Sequence, residues 1–228
     1  MKKKSLVAAM IALILATGVP AQERVSFPTG DGGSIYADLY GKGDRAVVLA
    51  HGGRFNKESW KEQAQALAKA GFRVLAIDFR GYGESRGPGQ ADPLSAPLHL
   101  DVLAAVRYLK RMGAKSVSIV GASMGGTAAA QASVEANTGE IDRLALIAGG
   151  VIDEPERMKG RKLFIAARDD FSGDNKITRL PKIRDQYERA SGPKELVLLD
   201  GSAHAQALFA TEQADRLMRE ILRFLSEP

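Results

Sequence analysis

Val120 to Ala130 reads VGASMGGTAAA, a single serine set among residues with almost no side chains. The run before it, KSVSIVG (115–121), is β-branched and reads as a buried strand, and Met124 to Glu135 reads as a helix. A strand ending at Gly121 and a helix starting at Met124 leave almost no chain for the connection. So sharp a turn forces Ser123 into a strained conformation and brings the residues two before and two after it together. Gly121 and Gly125 occupy those places, where bulkier side chains would collide. The turn lifts the serine oxygen clear of the sheet, at the positive end of a helix dipole.

The rest of the chain repeats this strand–helix alternation. SIYADLY (34–40) alternates like a half-buried antiparallel strand, and AVVLAH (46–51) and FRVLAIDF (72–79) read as strands. Further strands are expected at RLALIAG (143–149), RKLFIAA (161–167) and KELVLLD (194–200). Helices are expected over 57–71, with Trp60, Ala64, Leu67 and Ala68 on one face and Gly71 as stop. Others fall over 95–113, with Leu98, Val102, Ala105, Val106 and Leu109 inward, over 178–191 with Pro181 in the first turn, and over 212–227. Such alternation predicts an α/β fold with a mainly parallel, doubly wound sheet of about eight strands and helices on both faces. Ligands then bind beyond the carboxyl ends of the strands.

A chain of 228 residues suits one α/β domain with a full hydrophobic core. It has no cysteine, which excludes thiol catalysis, cysteine-ligated metal and disulfides. Its first residues read as a secretory leader. Lys2, Lys3 and Lys4 precede the apolar run Leu6–Ala16, too short to span a bilayer, and Val19 and Ala21 are small before a cut between Ala21 and Gln22. The expectation is a signal peptide over 1–21, one domain over 22–228 with no membrane span, and a periplasmic or secreted location. The net charge of +5 shrinks to +2 without the three leader lysines, 29 basic against 27 acidic residues. The basic residues are scattered, so a nucleic-acid partner is rejected.

Gly121-Ala122-Ser123-Met124-Gly125 is a G-x-S-x-G pattern in a strand–turn–helix context, and it resembles the nucleophile elbow of the α/β-hydrolase family. The resemblance covers nearly all of residues 22–228. It implies a serine nucleophile at Ser123 and a histidine base in the loop after the last strand. There LLDGSAHAQ places His204, and the order Ser…Asp…His holds. The third triad member fixes the histidine tautomer and stabilises the imidazolium. LFIAARDDFSGD offers Asp169, Asp170 and Asp174. It resembles the family's strand–G-x-x-D segment with Ala167 in place of the glycine, a register that selects Asp170, with Asp169 as rival. Members that carry the acid one strand earlier point instead to Asp153 or Glu154.

The resemblance also implies an oxyanion hole built from backbone N–H groups. Met124 N–H follows the nucleophile directly. Within HGGRF the second donor is assigned to Gly53, with Arg54 as second choice, and His51 is expected to brace that loop. DFRGYGES (78–85) matches the family's D-x-R-G-x-G-x-S turn and is read as structural. It is not a dinucleotide fingerprint, since no helix with a third glycine follows. His99, at a helix start, reads as a surface histidine.

The segment from Gly149 to Arg161 is too short for a cap domain, so an open site is expected, with Phe55, Met124, Phe171 and Phe209 as candidates for an apolar wall. The implied activity is hydrolysis of small carboxylic esters through an acyl-enzyme, with neither cofactor nor metal required. A peptidase or thioesterase using the same triad, and an inactive hydrolase fold serving as a binding protein, are the alternatives.

Overall fold

The computed structural model describes residues 22–92, 95–172 and 177–227. The expected leader over 1–21 and Asp174 lie outside the described residues.

Eight strands form one sheet. In chain order they are β1 (Gln22–Pro28), β2 (Ser34–Tyr40), β3 (Arg45–Ala50), β4 (Arg73–Ile77), β5 (Ser116–Ala122), β6 (Arg143–Ile147), β7 (Arg161–Ala167) and, after a short pair β8 (Phe171–Ser172) and β9 (Ile177–Thr178), β10 (Lys194–Leu199). The spatial order is β1-β2-β4-β3-β5-β6-β7-β10. β1 and β2 pair antiparallel, as do β2 and β4, and every neighbour from β4 through β10 is parallel. Val47, Val48, Leu49, Val117, Ile119, Leu144 and Leu163 are fully buried, as expected of parallel strands covered on both faces.

Five helices cover the sheet: α1 (Lys61–Lys69), α2 (Leu98–Arg111), α3 (Met124–Glu135), α4 (Leu180–Arg189) and α5 (Ala214–Ser226). A 3₁₀ turn, Lys57–Trp60, leads into α1, because Asn56 Oδ1 accepts from Ser59 N–H at 3.2 Å and Lys57 N–H donates to Asp78 Oδ1 at 2.8 Å. α2 begins three residues later than the sequence suggests, after Pro97. α3 is buried around most of its circumference, Ala128, Ala129, Ala130 and Ala132 included, and a narrow polar stripe of Thr127, Gln131 and Glu135 is left partly open. Methyl side chains let this central helix lie close to the sheet and to α2 at once. Between Gly149 and Arg161 there is only the 3₁₀ turn Pro155–Arg157.

β1 was not anticipated. Only Phe27 of its residues is buried, so its alternation is faint, and it holds its place as an edge strand through seven paired positions against β2.

The turn after β4 is locked by a buried ion pair. Arg80, with no exposed surface, donates from Nε at 2.9 Å and Nη2 at 2.6 Å to Asp101 Oδ1, while Asp101 Oδ2 accepts from Arg80 N–H at 3.0 Å. Asp31 takes the outer side of the guanidinium at 2.6 Å, which holds its carboxyl down to about 2. Ser85 Oγ donates to the Asp78 carbonyl at 2.8 Å, closing the turn. Removing one partner of a buried pair strands the other charge in a poor solvent. Asp101→Ala is therefore expected to lower stability by about 3 kcal/mol in urea unfolding at unchanged slope; a loss below about 1 kcal/mol would show that Asp31 alone suffices for Arg80.

Candidate active site

Ser123 sits between β5 and α3 at φ 49° and ψ −113°, a left-handed backbone that a non-glycine residue adopts at a cost of roughly 1–3 kcal/mol. The surroundings over-determine it. Ser123 N–H donates to the Ile147 carbonyl at 2.8 Å, and its own carbonyl accepts from Thr127 N–H at 3.0 Å. A Cβ at Gly121 would lie 2.5 Å from the Gly125 carbonyl oxygen, and one at Gly125 would strike the Ala50 carbonyl. Two further glycines make the same clearance on the other side: Gly126 and Gly149 pack backbone to backbone, and a Cβ at Gly149 would strike the Ser123 carbonyl.

His204 Nε2 lies 2.8 Å from Ser123 Oγ, and His204 Nδ1 lies 2.7 Å from Asp170 Oδ2. A carboxylate only accepts, so Nδ1 carries the proton and Nε2 is free to accept from the serine hydroxyl. Asp170 is buried, 1% exposed, while Asp169 beside it faces solvent. Two backbone bonds set this register: Arg168 N–H to the Leu199 carbonyl at 2.9 Å and Asp169 N–H to the Gly201 carbonyl at 3.0 Å. They tie the loop after β7 to the loop after β10. The residues from the loop after β6 are elsewhere: Asp153 is exposed with its carbonyl on Arg189, and Glu154 pairs with Arg157.

The loop after β3 reaches the same place. A Cβ at Gly53 would lie 3.7 Å from Met124 Sδ, so this loop adjoins the start of α3. Met124 N–H belongs to the first turn of α3, where donors have no intrahelical acceptor. Gly52 N–H is already taken, by Gln206 Oε1 at 2.8 Å, whereas Gly53 N–H has no protein acceptor among the described residues. The Gly53 carbonyl is held by Tyr82 Oη–H at 2.8 Å. His51 is fully buried below. Its Nδ1–H donates to the Gly52 carbonyl at 2.8 Å and its Nε2 accepts from Phe79 N–H at 3.3 Å, which fixes the neutral Nδ1–H tautomer.

A cavity of about 390 Å³ opens beside Ser123, walled by Leu98, Met124, Ala128 and Ile152 and by the half-buried His99. Among the described residues no group of three or more His, Asp or Glu side chains is arranged to hold a metal ion, and no helix is long and apolar enough to cross a membrane.

Residues 45–203 match the family model described as the alpha/beta hydrolase fold. The chain is a member of the alpha/beta hydrolase family. Over 83 residues it is 42% identical to bifunctional epoxide hydrolase 2 of Sus scrofa, a match covering 36% of this chain and 14% of that protein. Over 106 residues it is 36% identical to an epoxide hydrolase of Caballeronia sordidicola, 46% of this chain and 31% of that one. These matches span less than a third of either relative. In three dimensions the hydrolase is similar to an esterase of Pyrococcus furiosus, with a TM-score of 0.74 at 20% identity over 90% of this chain and 92% of the other. It is also similar to a dienelactone hydrolase of Anabaena variabilis, with a TM-score of 0.70 at 20% identity over 90% and 96%. At that identity the likeness is one of fold.

Three features of the hydrolase differ from the sequence reading. Of the four residues offered as an apolar wall, only Met124 lines the cavity. Phe209 instead packs edge-on against Trp60, Phe171 is 45% exposed, and Phe55 lies over Gly52. The wall is aliphatic, because the cavity follows α3 and the entry to α2, not the loops that carry the phenylalanines. His99 is half-buried on that wall, not a free surface residue. Gln206 and Arg179 were not singled out at all. Gln206 bridges the loop of His204 to that of Gly53, donating from Nε2 to Ser59 Oγ at 2.8 Å as well. Arg179 places Nε 3.4 Å from Asp170 Oδ1. Neither belongs to a motif, and each acts through a contact between loops distant in sequence.

Burial pushes the His51 imidazole below its ordinary value. The unfolded chain takes up this proton near pH 6.5, whereas the native one resists it to lower pH. The contribution is thus complete above about pH 6.5 and is lost as the pH falls below it, by up to about 1.4 kcal/mol per pH unit. Urea unfolding at pH 7.5 and 5.5 should show a smaller difference in His51→Gln than in the wild type; equal differences would mean that His51 does not resist protonation in the native state.

Proposed function

We propose that this alpha/beta hydrolase cleaves carboxylic esters by a two-step acyl-enzyme route with Ser123 as nucleophile, His204 as base and Asp170 as its carboxylate partner. The observation that carries the proposal is the unbroken hydrogen-bond path from Ser123 Oγ through both nitrogens of His204 to buried Asp170, at 2.8 and 2.7 Å. That is the reach required of a base that must take a proton as the new bond forms.

Ser123 Oγ adds to the ester carbonyl carbon as its proton passes to His204 Nε2. The carbonyl oxygen becomes an oxyanion facing Met124 N–H and Gly53 N–H, at the positive end of α3. Asp170 stabilises the imidazolium so formed. The intermediate collapses, the bond to the alkoxy oxygen breaks, and Nε2 returns its proton to the departing alcohol. Water then repeats the sequence against the acyl-serine: Nε2 takes the water proton, the Oγ–acyl bond breaks, the proton goes back to Oγ and the free acid leaves.

The epoxide hydrolases among the relatives raise a second substrate class, and elementary chemistry disfavours it here. A serine oxygen that opens an epoxide forms an ether. An ether has no carbonyl for water to attack, so the enzyme would stop after one event. A serine nucleophile suits acyl transfer, in which each step passes through a carbonyl.

Ser123→Ala should abolish both fluorophosphonate labelling and hydrolysis of p-nitrophenyl butyrate with the circular dichroism spectrum unchanged; labelling that persists would sink the nucleophile assignment. Asp170→Asn should reduce turnover on the order of 10⁴-fold near neutral pH. Asp169→Asn, at an exposed position, should retain nearly all of it. The reverse pattern would place the acid one residue earlier.

A further inference from the structure

The residues that line the cavity beside Ser123 give it a direction. Met124, Thr127, Ala128 and Gln131 all line it from α3. They fall at i, i+3, i+4 and i+7, the spacing of one helix face. At about 1.5 Å per residue, Gln131 lies about 12 Å along the axis from Ser123. The groove thus starts at the nucleophile and runs down α3 toward its carboxyl end.

Its near part is apolar: Leu98, Met124, Ala128 and Ile152. Its far part is not. Thr127 lies midway, and at the far end His99 and Gln131 line it, with Glu135 one turn beyond Gln131. Glu135 Oε1 lies 3.0 Å from Gln131 Nε2 and 3.2 Å from His99 Nε2. A carboxylate only accepts, so Gln131 presents its amide N–H to it. This settles the orientation of the Gln131 amide, whose carbonyl oxygen remains as an acceptor. The far end therefore offers the Gln131 carbonyl oxygen as an acceptor, with the Glu135 carboxylate behind it. It suits a ligand group that donates a hydrogen bond, and it repels a carboxylate.

The groove fits the acyl side of the ester better than the leaving group. The departing alcohol must sit within reach of His204 Nε2, which returns the proton. Neither His204 nor any residue from its loop lines the groove. The acyl side of the ester is left to it.

We propose that the groove along α3 is the acyl-binding site and that it selects acyl chains of about eight carbons bearing a hydroxyl at the far end, since an extended chain advances about 1.3 Å per bond of about 1.5 Å and the nine bonds from Ser123 Oγ to the hydroxyl oxygen span about 12 Å. The proposal rests on the esterase reading of Ser123. Gln131 receives the hydroxyl, and Glu135 orients the Gln131 amide and disfavours acids.

Steady-state kcat/KM for four p-nitrophenyl esters tests it: butyrate, octanoate, 8-hydroxyoctanoate and 7-carboxyheptanoate. The wild type should favour 8-hydroxyoctanoate over octanoate by about tenfold, the scale of one hydrogen bond gained where the unsubstituted chain leaves acceptors bare. It should take 7-carboxyheptanoate more slowly than octanoate. In Gln131→Leu the hydroxyoctanoate-to-octanoate ratio should fall at least threefold. Glu135→Gln should raise the carboxyheptanoate-to-octanoate ratio. These are ratios within one protein, so partial unfolding of a variant cancels. Turnover of butyrate with no preference for the hydroxylated chain, or with a preference for the carboxylated one, would overturn the groove assignment and leave the esterase reading standing. No turnover of any of the four esters would overturn both.

Discussion

The whole site hangs on one backbone constraint: β5 must become α3 within the space of Ser123. That residue is driven to a positive φ of 49°, and the helix it starts presses against the end of β3, where only glycine at position 125 clears the Ala50 carbonyl. Strain of this kind persists only where the neighbours leave no alternative. Here the neighbours are β3, β6 and the turn of α3 itself, joined through the Ser123 N–H bond to Ile147 and the Thr127 bond back to Ser123. The reward for the strain is position. The serine oxygen stands above the carboxyl edge of the sheet, at the head of a helix, with bare N–H groups beside it.

Everything else at the site is held by ties between neighbouring loops. The loops after β7 and β10 are joined by two backbone bonds, which bring Asp170 and His204 to hydrogen-bonding distance. Gln206 joins the loop after β10 to the loop after β3. Tyr82, from the turn that Arg80 and Asp101 lock, holds the Gly53 carbonyl. The buried ion pair thus bears on the site through Tyr82. The sheet order explains why these loops meet: β3, β5, β6, β7 and β10 lie side by side and parallel, so their carboxyl ends share one edge.

Much of this could be read from the amino acids, and the parts that could not share a cause. Buried parallel strands are nearly continuous apolar runs, and amphipathic helices repeat at 3.6 residues, so β3 to β7, β10 and all five helices left a local signature. Ser123, His204 and Asp170 lie in the loops where that signature and the elbow pattern place them. β1 left little trace because one buried phenylalanine is enough to seat an edge strand. Gly126 and Gly149 matter only through their contact with each other, and Gln206 and Arg179 only through partners on other loops. His99 looked like a surface residue because it stands at a helix start, where a polar side chain usually faces water. With the start at Leu98, the residue lies on the cavity wall beside α3. Local pattern reveals elements; contacts across the sheet edge become visible only once the elements are placed.

The central claim is that Ser123 Oγ becomes covalently acylated and then released by water. The most direct measurement mixes the enzyme with p-nitrophenyl butyrate, quenches it in acid within milliseconds, and maps the adduct by peptide mass spectrometry. A butyryl group on the peptide carrying Ser123, appearing with the first equivalent of p-nitrophenol and vanishing once substrate is spent, is the expected result. Turnover at a normal rate with no acyl group on that peptide at any time, or with the group on another residue, would contradict the account.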